Sequence, residues 1–522
     1  MLPGDILSQV LKYYTAGMEQ DMKSWKRALP VLAVCRSWRA AAVHMVYSAA
    51  MIGDGYTAER FSGAVRWSVR GGAQISAGAG RTENMRTNAA LISSNGHQGL
   101  VKRVIAVQGQ IGDPLTAIAE MFGVISEHAP GWRNAQHLSV MLSSSDEAYA
   151  EGGYCESRQV KAAMGLGRSI ARELPGVRAL HAIDSVETDV SRGFFEAIVQ
   201  AYSAKLTLLY WRASAVPDSR HALLGGLTSY AVHVPRGAGL PVADPGRLQS
   251  LQLADFRDDF GWDCFRADSA SGKIVFARLA SIELSDWSRS AGWDLGPPTP
   301  TPDGSSRPAL SFPALQRLTV LDVCPGAETL GLFAAAGAAR LQHVRYAGNV
   351  SGAQNLRAVG LQRLSSLAVA FENEHRDDRR EFYRVTNALF QAAAGARAVL
   401  ARLEHVRLAL DPARIAWPGV TQVSMCDTHS ALLGLDLAAA LPALEHLVIR
   451  VDMAPRFASE EQVRARVVQL DKDCPHVLAP RLAVYAVRIR GWRTGGGAFR
   501  RLVLPLVRSR LPPQTRLRAI DC

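Results

Sequence analysis

Cysteine is scarce in this sequence and is never closely paired. Seven cysteines are scattered over 522 residues, an odd number without any Cys-x-x-Cys pair. Disulfide-stabilised extracellular chains and structural zinc sites use closely spaced cysteines instead. The cysteine usage therefore predicts an intracellular protein with reduced thiols, located in the cytoplasm, the nucleus or both.

Long apolar runs are also missing. Stretches such as 332–336 and 437–441 end at Gly or Pro, well before the roughly 20 residues that cross a bilayer. The first residues, 1–5, lead straight into an amphipathic pattern without the basic and apolar regions of a signal peptide. We therefore expect no association with a membrane.

Lysine is rare although the chain is basic. The formal net charge is +12 and 59 residues are Lys or Arg, yet only eight of them are Lys. A basic surface attracts nucleic acid through counterion release. The chain is also rich in Ala and Gly, so the arginine excess matches the coding bias of a GC-rich genome. Composition thus argues against nucleic acid as a partner.

Motifs for catalysis and cofactor binding are absent as well. The thirteen histidines occur without a His-Glu-x-x-His motif, and no Gly-x-Ser-x-Gly sequence is present. The sequence Gly165-Leu166-Gly167 lacks the third glycine of a dinucleotide-binding loop and follows a helical segment rather than a strand. We therefore expect no enzyme, no cofactor and no metal ion.

The length of the chain exceeds what one ordinary globular core supports. Hydrophobic residues make up 48% of the chain and charged residues 20%, which is typical of a folded protein. Several domains or one elongated repeat array must follow.

Two helical segments are predicted near the N-terminus. Ile6, Leu7, Val10 and Leu11 form one apolar stripe, behind a proline that suits the first helical turn. A second stripe at helical spacing runs through residues 28–47. So few helices bury little apolar surface, and the module needs a partner or a neighbouring domain for stability.

These two segments carry distinctive short motifs. The first is Leu-Pro-Gly-Asp-Ile-Leu at 2–7 followed by an apolar pair, and the second is Val-Cys-Arg-Ser-Trp-Arg at 34–39. The two motifs together resemble the halves of an F-box. Residues 18–27 lengthen the separation beyond the usual F-box spacing. The resemblance implies binding to the Skp-type adaptor of a cullin–RING ligase core, and a helical cap of a repeat domain is the alternative. The partner-binding residues that it implies are Leu2, Pro3, Ile6, Leu7, Val10, Leu11, Val34, Cys35 and Trp38.

Short apolar strands of the form Leu-x-x-Leu-x-Leu recur through the rest of the chain. Ala- and Leu-rich helical segments often precede them, and crossovers of a dozen or more residues require parallel pairing. The pattern resembles a degenerate leucine-rich repeat, although the Asn or Cys expected after each strand is absent. The clear strands are predicted at Leu248–Leu253, Leu279–Leu284, Leu315–Val320, Leu341–Tyr346, Leu364–Val369, Leu403–Leu408 and Leu444–Ile449, and weaker ones at Val101–Ala106, Ala135–Val140 and Val177–Ala182.

The predicted fold is therefore α/β, with an N-terminal helical F-box module followed by an irregular solenoid of leucine-rich-repeat type. We place the F-box at 1–52, a linker with a connecting helix at 53–98, and a substrate-binding domain at 99–522. Within that domain, the proline-rich segment 296–313 is expected to be a flexible insertion. A helix is expected at 382–400 after a charged loop.

Nine arginines crowd the C-terminal tail, 488–518. The apolar residues Phe499, Leu502 and Leu506 in the same tail predict a helix that caps the repeat core. A patch for an acidic partner or for nucleic acid is the alternative.

Taken together, the resemblance implies a substrate-recognition subunit of an SCF-type cullin–RING E3 ubiquitin ligase. Its F-box would bind the Skp-type adaptor, and its repeats would bind a protein target whose identity the sequence does not reveal. The first alternative is an interaction scaffold with a decayed F-box that joins no ligase. The second is an enzyme on an α/β solenoid, which would need clustered titratable groups in a deep pocket.

Overall fold

The chain folds as a mixed α/β structure that is dominated by parallel β-sheet, as seen in a computed structural model. Contacts divide it into two compact units. Unit 1 comprises Met1–Leu251 and Gly261–Ala267, and unit 2 comprises Gln252–Phe260 and Asp268–Cys522. The structure describes residues 36–53, 57–61, 64–68, 86–108, 113–142, 157–186, 188–212, 224–233, 243–254, 265, 273–285, 310–321, 330, 340–361, 364–371, 379–394, 400–406, 414–417, 419–427, 441, 443–452, 461, 468, 481–490, 505, 508–509 and 511–521.

Unit 1 alternates helices with strands. Its helices are α1 Arg36–Val46, α2 Ala89–Ser94, α3 Pro114–His128, α4 Ser157–Glu173 and α5 Asp189–Tyr202, with short 3₁₀ turns at Gln98–Leu100 and Ala129–Gly131. Its strands are β1 Ala49–Gly53, β2 Thr57–Phe61, β3 Ala64–Ser68, β4 Arg86–Thr87, β5 Arg103–Gln108, β6 His137–Leu142, β7 Ala179–Asp184, β8 Leu208–Arg212 and β9 Ser229–His233.

The main sheet of unit 1 follows the order of the chain. Strand β1 pairs with β5, and β5 to β9 then pair one after another, all in parallel. The short strand β4 pairs antiparallel with β1, and β2 and β3 form a separate antiparallel pair. Strand β10, Ser250–Ala254, spans the point at which the chain passes from unit 1 to unit 2.

Unit 2 repeats the same arrangement. Its strands are β11 Ile274–Val275, β12 Ser281–Ser285, β13 Leu310–Ser311, β14 Arg317–Leu321, β15 His343–Gly348, β16 Ser366–Phe371, β17 Leu400–Val406, β18 Val420–Asp427, β19 His446–Asp452, β20 Val484–Arg490 and β21 Arg516–Asp521. Its helices are α6 Val350–Asn355 and α7 Arg379–Ala394, and the 3₁₀ turn Leu356–Val359 directly follows α6. Strands β12 and β14 to β21 pair in chain order, and every pair is parallel. Strands β11 and β13 form a separate parallel pair.

The recurring Leu-x-x-Leu-x-Leu pattern explains these strands. In the copy at Leu248, Leu251 and Leu253, all three side chains are buried, because the first closes the turn before the strand and the others alternate toward the core. Each of the ten predicted strands overlaps an observed strand. Their predicted parallel pairing is confirmed for the strand pairs that the structure describes.

Helices cover the face of each sheet to which these apolar residues point. In unit 1, Trp211 of β8 packs edge-on against Phe195 of α5, with ring centroids 6.3 Å apart. In unit 2, Phe371 of β16 packs edge-on against Phe382 of α7 at 5.1 Å. The core of each unit therefore lies between its strands and its helices.

Helix α5 is attached to the preceding strand through a buried carboxylate. Asp184, at the end of β7, accepts hydrogen bonds from the Ser191 hydroxyl at 2.6 Å and from the Val186 N–H at 3.0 Å. The Ser191 N–H in turn donates to the Thr188 side chain, and the Thr188 N–H donates to the Ser191 hydroxyl. This capping box satisfies donors of the first helical turn and fixes where α5 begins.

The glycines at 165 and 167 belong to the interior of helix α4, not to a phosphate-binding loop. A Cβ atom added at Gly167 would lie 2.7 Å from the Phe194 carbonyl oxygen of α5, whereas one added at Gly165 would meet nothing within 4 Å. Gly167 thus allows α4 and α5 to approach closely, and Gly165 has no such role.

We expect opposite effects from two alanine substitutions in this helix. Gly167→Ala forces α4 and α5 apart and destabilises unit 1 by about 1–3 kcal/mol. Gly165→Ala, the matched control, stabilises it by about 0.5–1 kcal/mol because alanine restricts the unfolded chain. Thermal unfolding followed by circular dichroism compares the two. Equal midpoints for both variants would show that the helices do not meet at Gly167.

Strand β1 begins at Ala49, within the segment 1–52 expected to be the F-box, and β2, β3, β4 and α2 lie in the segment 53–98 expected to be a linker with a connecting helix. Helix α7 begins at Arg379 rather than at 382 and ends at Ala394. The expected insertion at 296–313 falls mostly outside the described residues, and so does the expected tail helix around Phe499, Leu502 and Leu506.

Candidate functional site

The face of each sheet opposite the helices carries the chemistry of the candidate site, and we call it the outer face. In unit 1 its first row is Arg103, His137, Ala179, Leu208 and Ser229, which are in register on β5 to β9. Alternation along each strand places a second row two residues further on and a third row after that. The second row is Ile105, Ser139, His181, Tyr210 and Ala231.

A histidine lies near the centre of this face. The ring of His181 lies 5.7 Å from that of Tyr210, which is next to it in the second row. Burial lowers the pKa of His181 to about 4, and the positive charges of His137 and Arg103 act in the same direction. At neutral pH His181 is therefore uncharged, so one ring nitrogen donates a hydrogen bond and the other accepts one.

The ionisable side chains of this face are mainly basic. Among the outer-face positions of β5 to β9, two are Arg and three are His, and none is Asp or Glu. The third row is largely apolar and buried, since Val107, Met141 and Ile183 are 6%, 5% and 3% exposed. Three of the five basic groups, Arg103, His137 and His181, lie in the first two rows, and the half-buried Arg212 and His233 lie in the third.

The turns that lead into these strands extend the basic character. The Gln136 N–H donates to the Lys102 carbonyl, and the Arg178 N–H donates to the Gln136 carbonyl, each at 2.8 Å. The side chains of Lys102 and Arg178 are exposed, as is that of Arg133 in the turn before β6. We call Lys102, Arg103, Arg133, His137 and Arg178 the basic edge of unit 1.

The outer face of unit 2 also carries exposed basic side chains, such as Arg317 and His343, and in addition it carries a carboxylate. Glu283 of β12 accepts a hydrogen bond from the Gln252 side-chain amide at 2.9 Å, and Arg345 lies two strands away in the same row. Burial raises the pKa of Glu283 to about 7, although the charge of Arg345 opposes this shift. Beside this polar row, Leu321, Ala347 and Ala370 form a buried apolar cluster.

The raised pKa of Glu283 predicts a pH dependence of stability. Between the ordinary carboxyl pKa of 4.5 and about 7, the folded chain binds more protons at Glu283 than the unfolded chain. Stability from this group is therefore greatest at low pH, falls as pH rises through that window, and levels off above it. Glu283→Gln should remove this decline, since the neutral amide still accepts from Gln252. Thermal midpoints of both chains at several pH values measure it, and identical slopes would contradict it.

Most of the expected F-box residues fall outside the described part of the chain: Leu2, Pro3, Ile6, Leu7, Val10, Leu11, Val34 and Cys35. Trp38 lies in helix α1, within the segment for which a helix was predicted. Helix α1 buries Ala42 and Val46 and is separated from β1 by two residues. One of them, Ser48, accepts backbone hydrogen bonds from Lys102 and Arg103 at 2.8 and 3.0 Å. The helix that carries Trp38 is thus joined closely to the start of the sheet.

Sequence reasoning did not identify His181, Tyr210, Gln252 or Glu283. The repeat pattern does contain a signal for them, because the positions between its apolar residues must point to the outer face. Their neighbours could not be assigned, since Gln252 and Glu283 are 31 residues apart in the chain.

In the described part of the chain, no group of three or more His, Cys, Asp or Glu side chains is placed to hold a metal ion. Among the described helices, none is both long and apolar enough to cross a membrane.

Comparison with known proteins does not assign the chain to a family. No family model matches the chain, and no curated protein is significantly similar to it.

Proposed function

We propose that this protein is the substrate-recognition subunit of an SCF-type cullin–RING E3 ubiquitin ligase. Its F-box, with Leu7, Leu11 and Trp38 among the binding residues, engages the Skp-type adaptor. A solenoid of leucine-rich-repeat type engages the protein target. The observation that carries the proposal is the order of two features: an F-box-like sequence at 2–39, followed by a sheet in which the parallel strands β5 to β9 pair in chain order.

The repeat architecture supports the solenoid part of this proposal. Every strand from β5 to β9 and from β14 to β21 pairs with its neighbour in the chain, and a crossover joins each pair. Backbone hydrogen bonds between successive turns repeat at 2.8 to 3.2 Å in both units, as at Arg178 and Gln342. Such stacking builds an extended face on which a protein partner can lie.

The short connection between helix α1 and strand β1 supports the role of this chain as a substrate-recognition subunit. A ligase subunit without catalytic groups acts by holding its target near the ubiquitin-carrying enzyme, which raises the effective concentration of the reacting groups. Only Tyr47 and Ser48 separate α1 from β1. Tyr47 packs against His97, with ring centroids 4.5 Å apart. This short and well-contacted junction restricts the motion of the F-box helix relative to the first strands.

A scaffold that joins no ligase is the second candidate. It is favoured by residues 18–27, which lengthen the F-box beyond its usual spacing. Such a protein would hold partners together through the outer faces and would leave their lifetimes unchanged.

Proximity labelling in cells with and without a proteasome inhibitor separates the two candidates. For a ligase subunit, a set of labelled proteins accumulates when the proteasome is blocked. The same proteins accumulate without inhibitor when Leu7 and Leu11 are replaced by Asp, although they remain labelled. Labelled proteins whose abundance changes with neither treatment would support the scaffold and overturn the ligase.

A further inference from the structure

We propose that the basic edge of unit 1 binds an extended, acidic segment of a protein, rich in Asp and Glu. This proposal rests on the proposed function, since it names the chemical class of the target that the repeats would recognise. It concerns Lys102, Arg103, Arg133, His137 and Arg178 together with the adjoining His181 and Tyr210.

Charge is the first argument. The outer-face positions of β5 to β9 carry basic ionisable side chains and no carboxylate, and the exposed Lys102 and Arg178 continue this character into the turns. The described carboxylates of helices α3, α4 and α5, such as Glu127, Glu173 and Asp189, belong to the helical layer. A partner with the opposite charge is therefore attracted to this face and oriented along it.

Spacing is the second argument. The backbone hydrogen bonds through Gln136 place Lys102 and Arg178 at equivalent positions two strands apart, which is about 10 Å for strands spaced about 4.8 Å. An extended peptide in the polyproline II conformation advances about 3.1 Å per residue and has three residues per turn, so side chains three residues apart point the same way about 9 Å apart. Carboxylates three residues apart in such a peptide therefore match Lys102 and Arg178 when the peptide runs across the strands.

The neighbouring neutral groups supply hydrogen bonds. His181 is half-buried and, with its pKa lowered by burial, uncharged at neutral pH, so the positive charge concentrates at the edge. Its ring nitrogens can meet the backbone of a peptide that lies along the first row.

The aromatic content of the face favours a peptide over nucleic acid. Single-stranded nucleic acid is held by aromatic rings on which its bases stack. Tyr210 is only 7% exposed, and it is the one aromatic residue other than histidine among the outer-face positions of β5 to β9. That ring is too buried to serve as a stacking platform.

Fluorescence anisotropy with the full chain tests the proposal. The probe is a labelled peptide of about twelve residues with Glu at every third position, and its control carries Gln instead. We expect the Glu peptide to bind roughly tenfold or more tightly than the Gln peptide, and its affinity to fall as salt is raised. The double variant Lys102→Glu/Arg178→Glu should lose this binding roughly tenfold or more.

A matched variant provides the control for net charge. Lys161→Glu/Arg168→Glu makes the same charge change at two exposed positions of helix α4 in the same unit, and it should leave the affinity within about twofold of wild type. The neutral variant Lys102→Gln/Arg178→Gln, which tests the edge without new charges, should lose affinity too.

Three results would overturn the proposal: equal binding of the Glu and Gln peptides, an equal loss in the helix α4 control, or tighter binding of a single-stranded RNA with the same charge. The assay contains no ligase component. A failure here together with intact adaptor binding rejects the acidic target class alone, whereas a loss of adaptor binding rejects the ligase role alone.

Discussion

We expect that replacing Leu7 and Leu11 with Asp will abolish the proposed binding to the Skp-type adaptor, with a loss of roughly hundredfold or more. The two leucines are four residues apart and share the apolar stripe of the predicted first helix. Binding energy at protein interfaces concentrates in a few large apolar anchors. A carboxylate forced against an apolar partner surface loses its hydration without gaining a partner, which costs several kcal/mol.

A neighbouring pair of positions controls for the added charge. Ser8→Asp/Lys12→Gln makes the same net charge change of two units at the same spacing on another side of the same predicted helix. Pull-down of purified adaptor should recover this variant as well as it recovers wild type, and should not recover the Leu variant. Equal recovery of both variants, or equal loss, would show that the stripe is not the adaptor-binding surface. A truncation to residue 50 is less suitable, because it would cut strand β1.

Replacing Trp211 with Ala disrupts unit 1. Trp211 is fully buried on the helix-facing side of β8, where it packs edge-on against Phe195. Removal of a buried tryptophan leaves a large cavity and costs about 3–5 kcal/mol. This is a large share of the stability of an ordinary domain, so the thermal midpoint of unit 1 should fall by many degrees.

Trp211→Phe serves as the matched variant. The indole N–H of Trp211 is buried and has no hydrogen-bond partner in the described part of the chain, and such a donor costs about 1–3 kcal/mol. Phenylalanine retains the aromatic contact and lacks this donor, so its variant should lose less than half as much stability. Hydrogen exchange of the amides in unit 1 measures both variants. An alanine variant as protected as wild type would contradict the observed packing.

The strands were predictable where leucine marks all three apolar positions of the repeat. The copy at Leu248, Leu251 and Leu253 correctly predicted strand β10, because the pattern itself determines which residues face the core. Strands β8 and β9 were missed, since Trp211 and Tyr230 take the place of leucine in their copies. Burial selects for apolar volume and not for leucine alone, so an aromatic copy satisfies the same position.

The candidate site was less predictable than the strands. That His181 lies beside Tyr210, and Glu283 beside Gln252, depends on the register between strands. The crossovers between the strands differ in length, so the register depends on the tertiary structure and does not follow from spacing along the chain. The different roles of the two glycines of α4 could not be predicted from the sequence either, because only the packing of α5 distinguishes Gly167 from Gly165.

The affinity of the wild-type chain for purified Skp-type adaptor tests the central claim most directly. Isothermal titration calorimetry should give a one-to-one complex with a dissociation constant of about 1 μM or tighter, and the complex should then bind the cullin during gel filtration. If the folded wild-type chain shows no affinity for the adaptor, this contradicts the ligase role, and the scaffold becomes the better account of the protein.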